Sequence, residues 1–188
     1  MWLSPVMIPK IQYAMDLVEL NARVPIIAYL LPDIDKKLIS HLYEQVHGTK
    51  SPQGQLPNQQ SFYTYSYDRR MQSSVLYKLY DQLIRNGVDE TKAMIEAYKQ
   101  YKTTFEEPLI EFNRFWSMLM LVSTKSMKMV KCNCCSCSYI EDSMEPASSS
   151  KCPSCWFGKK LKTTRKLTDS ASFHKRNSQN DMPQLGHA

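Results

Sequence analysis

Glycine is scarce in this chain, with five residues among 188. So few glycines disfavour a turn-rich sandwich or barrel. The many Leu, Met, Lys, Gln and Tyr favour helix instead. No run of about 18 apolar residues occurs, so no membrane-spanning helix is expected. The opening stretch, MWLSPVMIPKIQYAMDL, lacks a basic start and an unbroken apolar run, because Pro5, Pro9 and Lys10 interrupt it. A secretory signal is therefore not expected, and the reading is a cytoplasmic protein. Nucleotide-binding and hydrolase signatures are also missing: there is no Walker A, no G-x-G-x-x-G and no G-x-S-x-G. His41, His47, His174 and His187 are scattered, and no H-E-x-x-H or H-x-E occurs. These absences argue against an enzyme. No fixed-period repeat is found.

What is present is unevenly placed. Hydrophobic residues make up 43%, enough for a sizeable core. Residues 1–124 hold 13 basic and 13 acidic side chains, whereas residues 125–188 hold 11 and 5. The whole net charge of +6 therefore sits in the C-terminal third. A basic end of this kind fits an anionic partner, most simply nucleic acid, and fits equally a solvated tail. All six cysteines fall between Cys132 and Cys155.

Helical periodicity predicts six helices before the cysteines. The first covers 10–22, with Ile11, Met15 and Val18 on one stripe. The second covers 24–31, with Pro25 in its first turn, where a missing N–H costs nothing. The third covers 34–46, with Asp35 as cap and Leu38, Leu42 and Val46 along its inner face. His47-Gly48 ends it. The stretch 48–61, GTKSPQGQLPNQQS, reads as a loop. The FYTYSY of 62–67 reads as a short strand or extended segment. Helices follow over 69–85 (Val75, Leu76, Leu79 and Leu83 inward), 89–104 (Met94, Tyr98 and Tyr101 stacked) and 108–127 (Leu109, Phe112, Trp116, Leu119 and Val122). Asn86-Gly87 separates the first two of these.

In a reducing compartment six clustered cysteines read as metal ligands rather than disulfides. Cys152-Pro-Ser-Cys155 is one unambiguous C-x-x-C pair. The other has two registers. Cys132/Cys135 leaves 16 residues before Cys152, and Cys134/Cys137 leaves 14. The usual spacing for a four-cysteine zinc site favours the first without excluding the second. The surroundings are Asn, Ser, Glu, Asp and Lys, which offer no core for thiols packed as small hydrophobes. The acids nearby, Glu141, Asp142 and Glu145, read as part of the intervening loop, and no general base stands beside the cysteines. The expected zinc is structural.

The segment from Ala22 to Gly48 reads as short helix, tight turn and longer helix. It describes either a helix-turn-helix, with Lys36, Lys37 and His41 among the outward residues, or two ordinary neighbours in a helical bundle.

Several stretches together carry a family likeness: AMDLVELNAR (14–23), LISHLYEQVHG (38–48), SPQGQLP (51–57), NGVDETKAMIEAYKQY (86–101), NRFW (113–116) and the CNCC…CPSC block. From about Ile11 to Leu167 the chain resembles the FlhC family, the C subunits of the bacterial flagellar master transcriptional activator. The resemblance implies zinc ligands at Cys132, Cys135, Cys152 and Cys155, and makes Cys134 a spare cysteine. Cys137 and Ser136 depart from the family, which commonly has a small residue and a glycine there. The resemblance further implies an FlhD-type partner in a heterohexamer of four D and two C subunits. That complex binds double-stranded DNA upstream of flagellar operons and recruits RNA polymerase.

The expected architecture is thus mainly α. Residues 1–127 form a helical, partner-binding domain with a candidate helix-turn-helix at 22–48. Residues 128–167 form a small four-cysteine zinc-binding ribbon or knuckle carrying a basic arm, and 168–188 form a tail whose composition favours disorder. Lys128, Lys131, Lys159, Lys160, Lys162, Arg165 and Lys166 would meet phosphates, with Lys36, Lys37 and His41 as candidates for base reading. Two other readings compete. One is a zinc-ribbon RNA- or DNA-binding protein with no regulatory role. The other is a thiol redox sensor built on Cys134 and Cys137.

Overall fold

The computed structural model describes residues 7–145 and 152–160. Seven helices lead into an antiparallel hairpin: α1 (Met7–Glu19), α2 (Val24–Leu30), α3 (Lys36–His47), α4 (Ser61–Thr64), α5 (Tyr67–Arg85), α6 (Glu90–Thr104), α7 (Phe112–Ser123), β1 (Met127–Lys131) and β2 (Ser138–Asp142). A last helix, α8, spans 153–160. The protein is mainly helical with a two-stranded sheet and a cysteine cluster. Among the described residues no helix is long and apolar enough to cross a membrane. Lys162, Arg165, Lys166 and the tail at 168–188 lie outside the described residues.

Local chemistry explains most boundaries. Pro25 sits in the first turn of α2. The Asp35 carboxylate accepts from the Lys37 N–H at 2.9 Å and starts α3. Gly48 stops it at φ 67°, a left-handed conformation open to glycine at little cost. Ser66 and Asp89 cap α5 and α6 in the same way as Asp35.

Three expectations for the helical body fail, each for a tertiary reason. The inner face of α3 is Ile39 and Tyr43 with Leu42 half-buried against the core as expected, while Leu38 and Val46 are 42% and 41% exposed. The helix is rolled by one residue so that Tyr43 packs on His47, whose ring nitrogen meets the Val18 carbonyl at 2.8 Å. The FYTYSY segment is no strand. It forms α4 and the start of α5, because one helical turn buries Tyr63 and lets its hydroxyl donate to the Arg114 carbonyl at 2.8 Å. Finally, α7 begins at Phe112 rather than Pro108, and Leu109 is exposed. Residues 105–111 stay irregular because side chains replace helical bonds. Gln72 accepts from Leu109 N–H at 2.8 Å and donates to the Glu107 carbonyl at 3.0 Å. Tyr101 accepts from Ile110 N–H at 3.0 Å.

One core joins all of this. Leu17, Ile27, Ile39, Tyr63, Leu76, Ile95, Tyr101 and Phe115 are fully buried, and Met127 and Ile140 of the hairpin belong to the same cluster. Helix α5 is the scaffold, packing on α4, α6, α7 and β2. The hairpin is therefore seated on the helical body.

Candidate metal centre and basic surface

The hairpin register places the cysteines. Strand residues pair from Met127↔Asp142 to Lys131↔Ser138. Just beyond, Cys132 N–H donates to the Cys137 carbonyl at 2.9 Å, and Ser136 N–H donates to the Cys132 carbonyl at 2.9 Å. This tight turn folds Cys135 back beside Cys132. Ser136 takes φ 59°, a conformation costly for a residue with a Cβ. At the other end α8 starts beside Cys152 and brings Cys155 round by one turn.

β2 is buried on both faces, since successive side chains point oppositely. Ile140 enters the helical core, and Tyr139 packs with Cys132 and Cys152 in a second small cluster. Antiparallel pairing leaves alternate N–H groups pointing away from the partner strand. Ile140 is such a residue, and its N–H donates to Ser74 Oγ of α5 at 2.9 Å. Glu141 and Asp142 lie in β2 rather than in a loop, and Glu141 is fully buried. Tyr67 at the start of α5 stacks on Trp156 of α8, with ring centroids 4.5 Å apart and planes 9° apart. The hairpin and α8 are thus both tied to α5.

The Sγ atoms of Cys132, Cys135, Cys152 and Cys155 all lie within 4.8 Å of one another. Cys132 and Cys155 are 3.8 Å apart, Cys135 and Cys152 3.6 Å. A tetrahedron with Zn–S bonds of about 2.3 Å has edges of roughly 3.8 Å. Four thiols on these edges can hold a metal ion, and the donor set fits a closed, soft-ligand site. The backbone N–H of Cys134 donates to Cys132 Sγ at 3.4 Å. Backbone donors at Cys135 and Cys134 pull the Cys132 thiol down to about 7. The Cys155 thiol is pushed up, chiefly by its contact with Cys135, as expected when crowded thiols share protons. Cys134 and Cys137 are exposed and lie outside the four.

The candidate basic residues fall into two groups. Lys128, Lys131, Lys159 and Lys160 are exposed around the cysteine end. Lys36, Lys37 and His41 are exposed on α3, which packs on α1 and α2, away from the elements that hold the hairpin. Residue patterns gave no sign of the groups that fix the cysteine end: Ser74, Tyr139 and the Tyr67–Trp156 stack. Each acts across the chain, and neither spacing nor composition marks them.

Comparison with known proteins places the chain among regulators. A family model described as flagellar transcriptional activator (FlhC) matches residues 7–168, across the helices and the cysteines. The chain is 29% identical to the flagellar transcriptional regulator FlhC of Sodalis glossinidius over 86% of this chain and 85% of that one. It is 26% identical to that of Yersinia enterocolitica, over 86% of each. For Nitrosomonas eutropha the identity is 25% over 78% of each.

Proposed function

We propose, on the premise that this chain belongs to the flagellar transcriptional activator (FlhC) family, that it works as the DNA-binding C subunit of a two-component activator. Membership makes it a regulator of flagellar gene transcription. The partner is an FlhD-type subunit, in a heterohexamer of four D and two C chains in the cytoplasm. The complex binds double-stranded DNA at flagellar promoters and recruits RNA polymerase. The observation that carries this reading is the family match, which runs through both the helical body and the cysteine end.

The four gathered cysteines hold one structural Zn²⁺ in this reading. Zinc supplies a cross-link between the hairpin turn and α8, and its binding free energy becomes folding free energy for the cysteine end. With four thiolate ligands no position is open for a substrate. Cys132 and Cys152 are shielded by Tyr139, while the stack on Tyr67 fixes α8. Lys128, Lys131, Lys159 and Lys160 are then held at one end of the body, where they meet phosphates. Such contacts give affinity and steep salt dependence but little sequence choice. Lys162, Arg165 and Lys166 extend this basic run in sequence. Helix α3, following α2 through a short turn, offers Lys36, Lys37 and His41 to base edges.

The test is binding of the purified chain to flagellar promoter DNA and to a shuffled duplex, with and without an FlhD-type partner, at two salt concentrations. A promoter preference that needs the partner and survives the higher salt supports the reading. Equal binding to both duplexes, lost with salt and indifferent to the partner, marks a generic basic zinc-ribbon binder.

A further inference from the structure

Two guanidiniums on the helical body share one aromatic ring, and neither is ion-paired to a carboxylate among the described residues. Arg114 of α7 lies over Phe62 with its Cζ 3.7 Å from the ring centroid, and Arg69 of α5 lies over the same ring at 4.4 Å. Neither makes an ion pair among the described residues. Arg69 also reaches the ring of Tyr65 at 5.9 Å, and that residue is 82% exposed. On its other side Arg114 joins Arg23 in lining an open cavity of about 370 Å³, whose one carboxylate is Glu111.

Two like charges gathered without an ion-pair partner repel each other, and an anion relieves that repulsion. A guanidinium lying on a ring uses its face there and keeps its rim of N–H donors for an acceptor. Phosphate oxygens match that rim in bidentate geometry. Cationic groups also extend beyond this ring. Tyr67 follows Tyr65 by two residues and stacks on Trp156, and Lys160 lies 5.1 Å from the Trp156 ring. The series Arg114, Arg69, Lys160 thus runs from the helical body into the cysteine end, which suits an extended polyanion better than a single phosphate. Phe62, Tyr67 and Trp156 are already covered by protein groups, so Tyr65 alone among these rings is open, and one open ring makes no run of platforms for the bases of a single strand. A duplex backbone fits better.

We infer that Arg69 and Arg114, held over Phe62 and extended by Arg23, form a contact site on the helical body for the phosphodiester backbone of duplex DNA. The site rests on the DNA-binding reading above and adds to it a second anchor besides the lysines of the cysteine end.

The test uses the full chain with its FlhD-type partner and compares Arg69→Gln, Arg114→Gln and the double variant with wild type. Affinity for promoter duplex is measured across a salt series, with shuffled duplex, single-stranded RNA and inorganic phosphate as separate arms. Each variant is expected to weaken both duplexes alike and to flatten the salt slope by about 0.9, and the double variant by roughly twice that. Unfolding midpoints and bound metal should not change. Should a glutamine variant lose its fold, Arg69→Lys and Arg114→Lys keep the charge and should retain the slope while losing affinity several-fold, because lysine cannot bind bidentately. Wild-type slope and affinity in every variant would overturn the site but leave the proposed function standing. No duplex binding by wild type would overturn both. A loss seen only with RNA, or only with inorganic phosphate, would overturn the assignment to duplex DNA.

Discussion

Replacing Ser74 by alanine removes one hydroxyl and leaves the Ile140 N–H without an acceptor. That N–H points away from β1, because the Met129↔Ile140 pair lies between the hydrogen-bonded pairs of the ladder. Ile140 is fully buried and Ser74 is 4% exposed, so water is not at hand to replace the 2.9 Å bond. Ser74 Oγ also donates to the Arg70 carbonyl, but that carbonyl keeps its helical bond inside α5. The loss is therefore one orphaned buried donor, about 1–3 kcal/mol, with almost no change in volume. Taking about 2 kcal/mol and a urea slope of about 2 kcal/mol per molar, the unfolding midpoint falls by roughly 1 M. The assay is urea unfolding followed by far-ultraviolet circular dichroism, with hydrogen exchange at the Ile140 amide as a local readout. Ser123→Ala is the control. Its exposed hydroxyl donates to the Met120 carbonyl at 2.8 Å, and its loss should move the midpoint by less than about 0.25 M. Equal midpoints for Ser74→Ala and the control would refute the claim that this hydroxyl seats the hairpin on α5.

The other predictions concern the cysteine end and the buried tyrosines. Cys135→Ser should abolish stoichiometric zinc binding, whereas Cys134→Ser and Cys137→Ser should leave one zinc per chain by elemental analysis. Zinc retained by Cys135→Ser would sink the ligand assignment. Ser136→Gly relieves a left-handed residue and should raise stability by about 1 kcal/mol, read as a higher urea midpoint; a lower midpoint would show that the turn is unstrained. Burial pushes Tyr63 up to about 12, and burial followed by Glu90 does the same to Tyr80. A raised folded pKa means full stability below the unfolded value near 10, lost as pH climbs from there towards about 12. Urea midpoints should thus hold to about pH 9 and fall through this window, with late tyrosine ionisation in the ultraviolet titration. All eleven tyrosines ionising near 10 without loss of structure would contradict the burial.

Much of the helical part was legible because its signals are local. Asp35, Asp89, Gly48, Gly87 and Pro25 act on backbone groups a few residues away, so their meaning survives without the fold. The roll of α3 was not legible. Its sequence offers Leu38 and Val46 as readily as Ile39 and Tyr43, and the choice is made by the α1 and α2 surfaces it meets. The same holds for 105–111, which is irregular because Gln72 and Tyr101 arrive from other helices with hydrogen bonds to give.

The cysteines divide along the same line. Six cysteines in a polar segment, spaced as two C-x-x-C pairs, pointed by themselves to a thiol tetrad able to hold a metal ion. Spacing left the choice between Cys132/Cys135 and Cys134/Cys137 open, because both pairs suit a turn. The tertiary structure gathered one set. Strand register carries Cys132 to the end of β1, the Cys132–Cys137 backbone bond closes the turn beneath it, and the stack of Trp156 on Tyr67 fixes α8 opposite. Four thiols then converge while Cys134 and Cys137 face solvent. Convergence is a property of positions in space, set by pairing and packing across the chain, and spacing along the chain can only permit it.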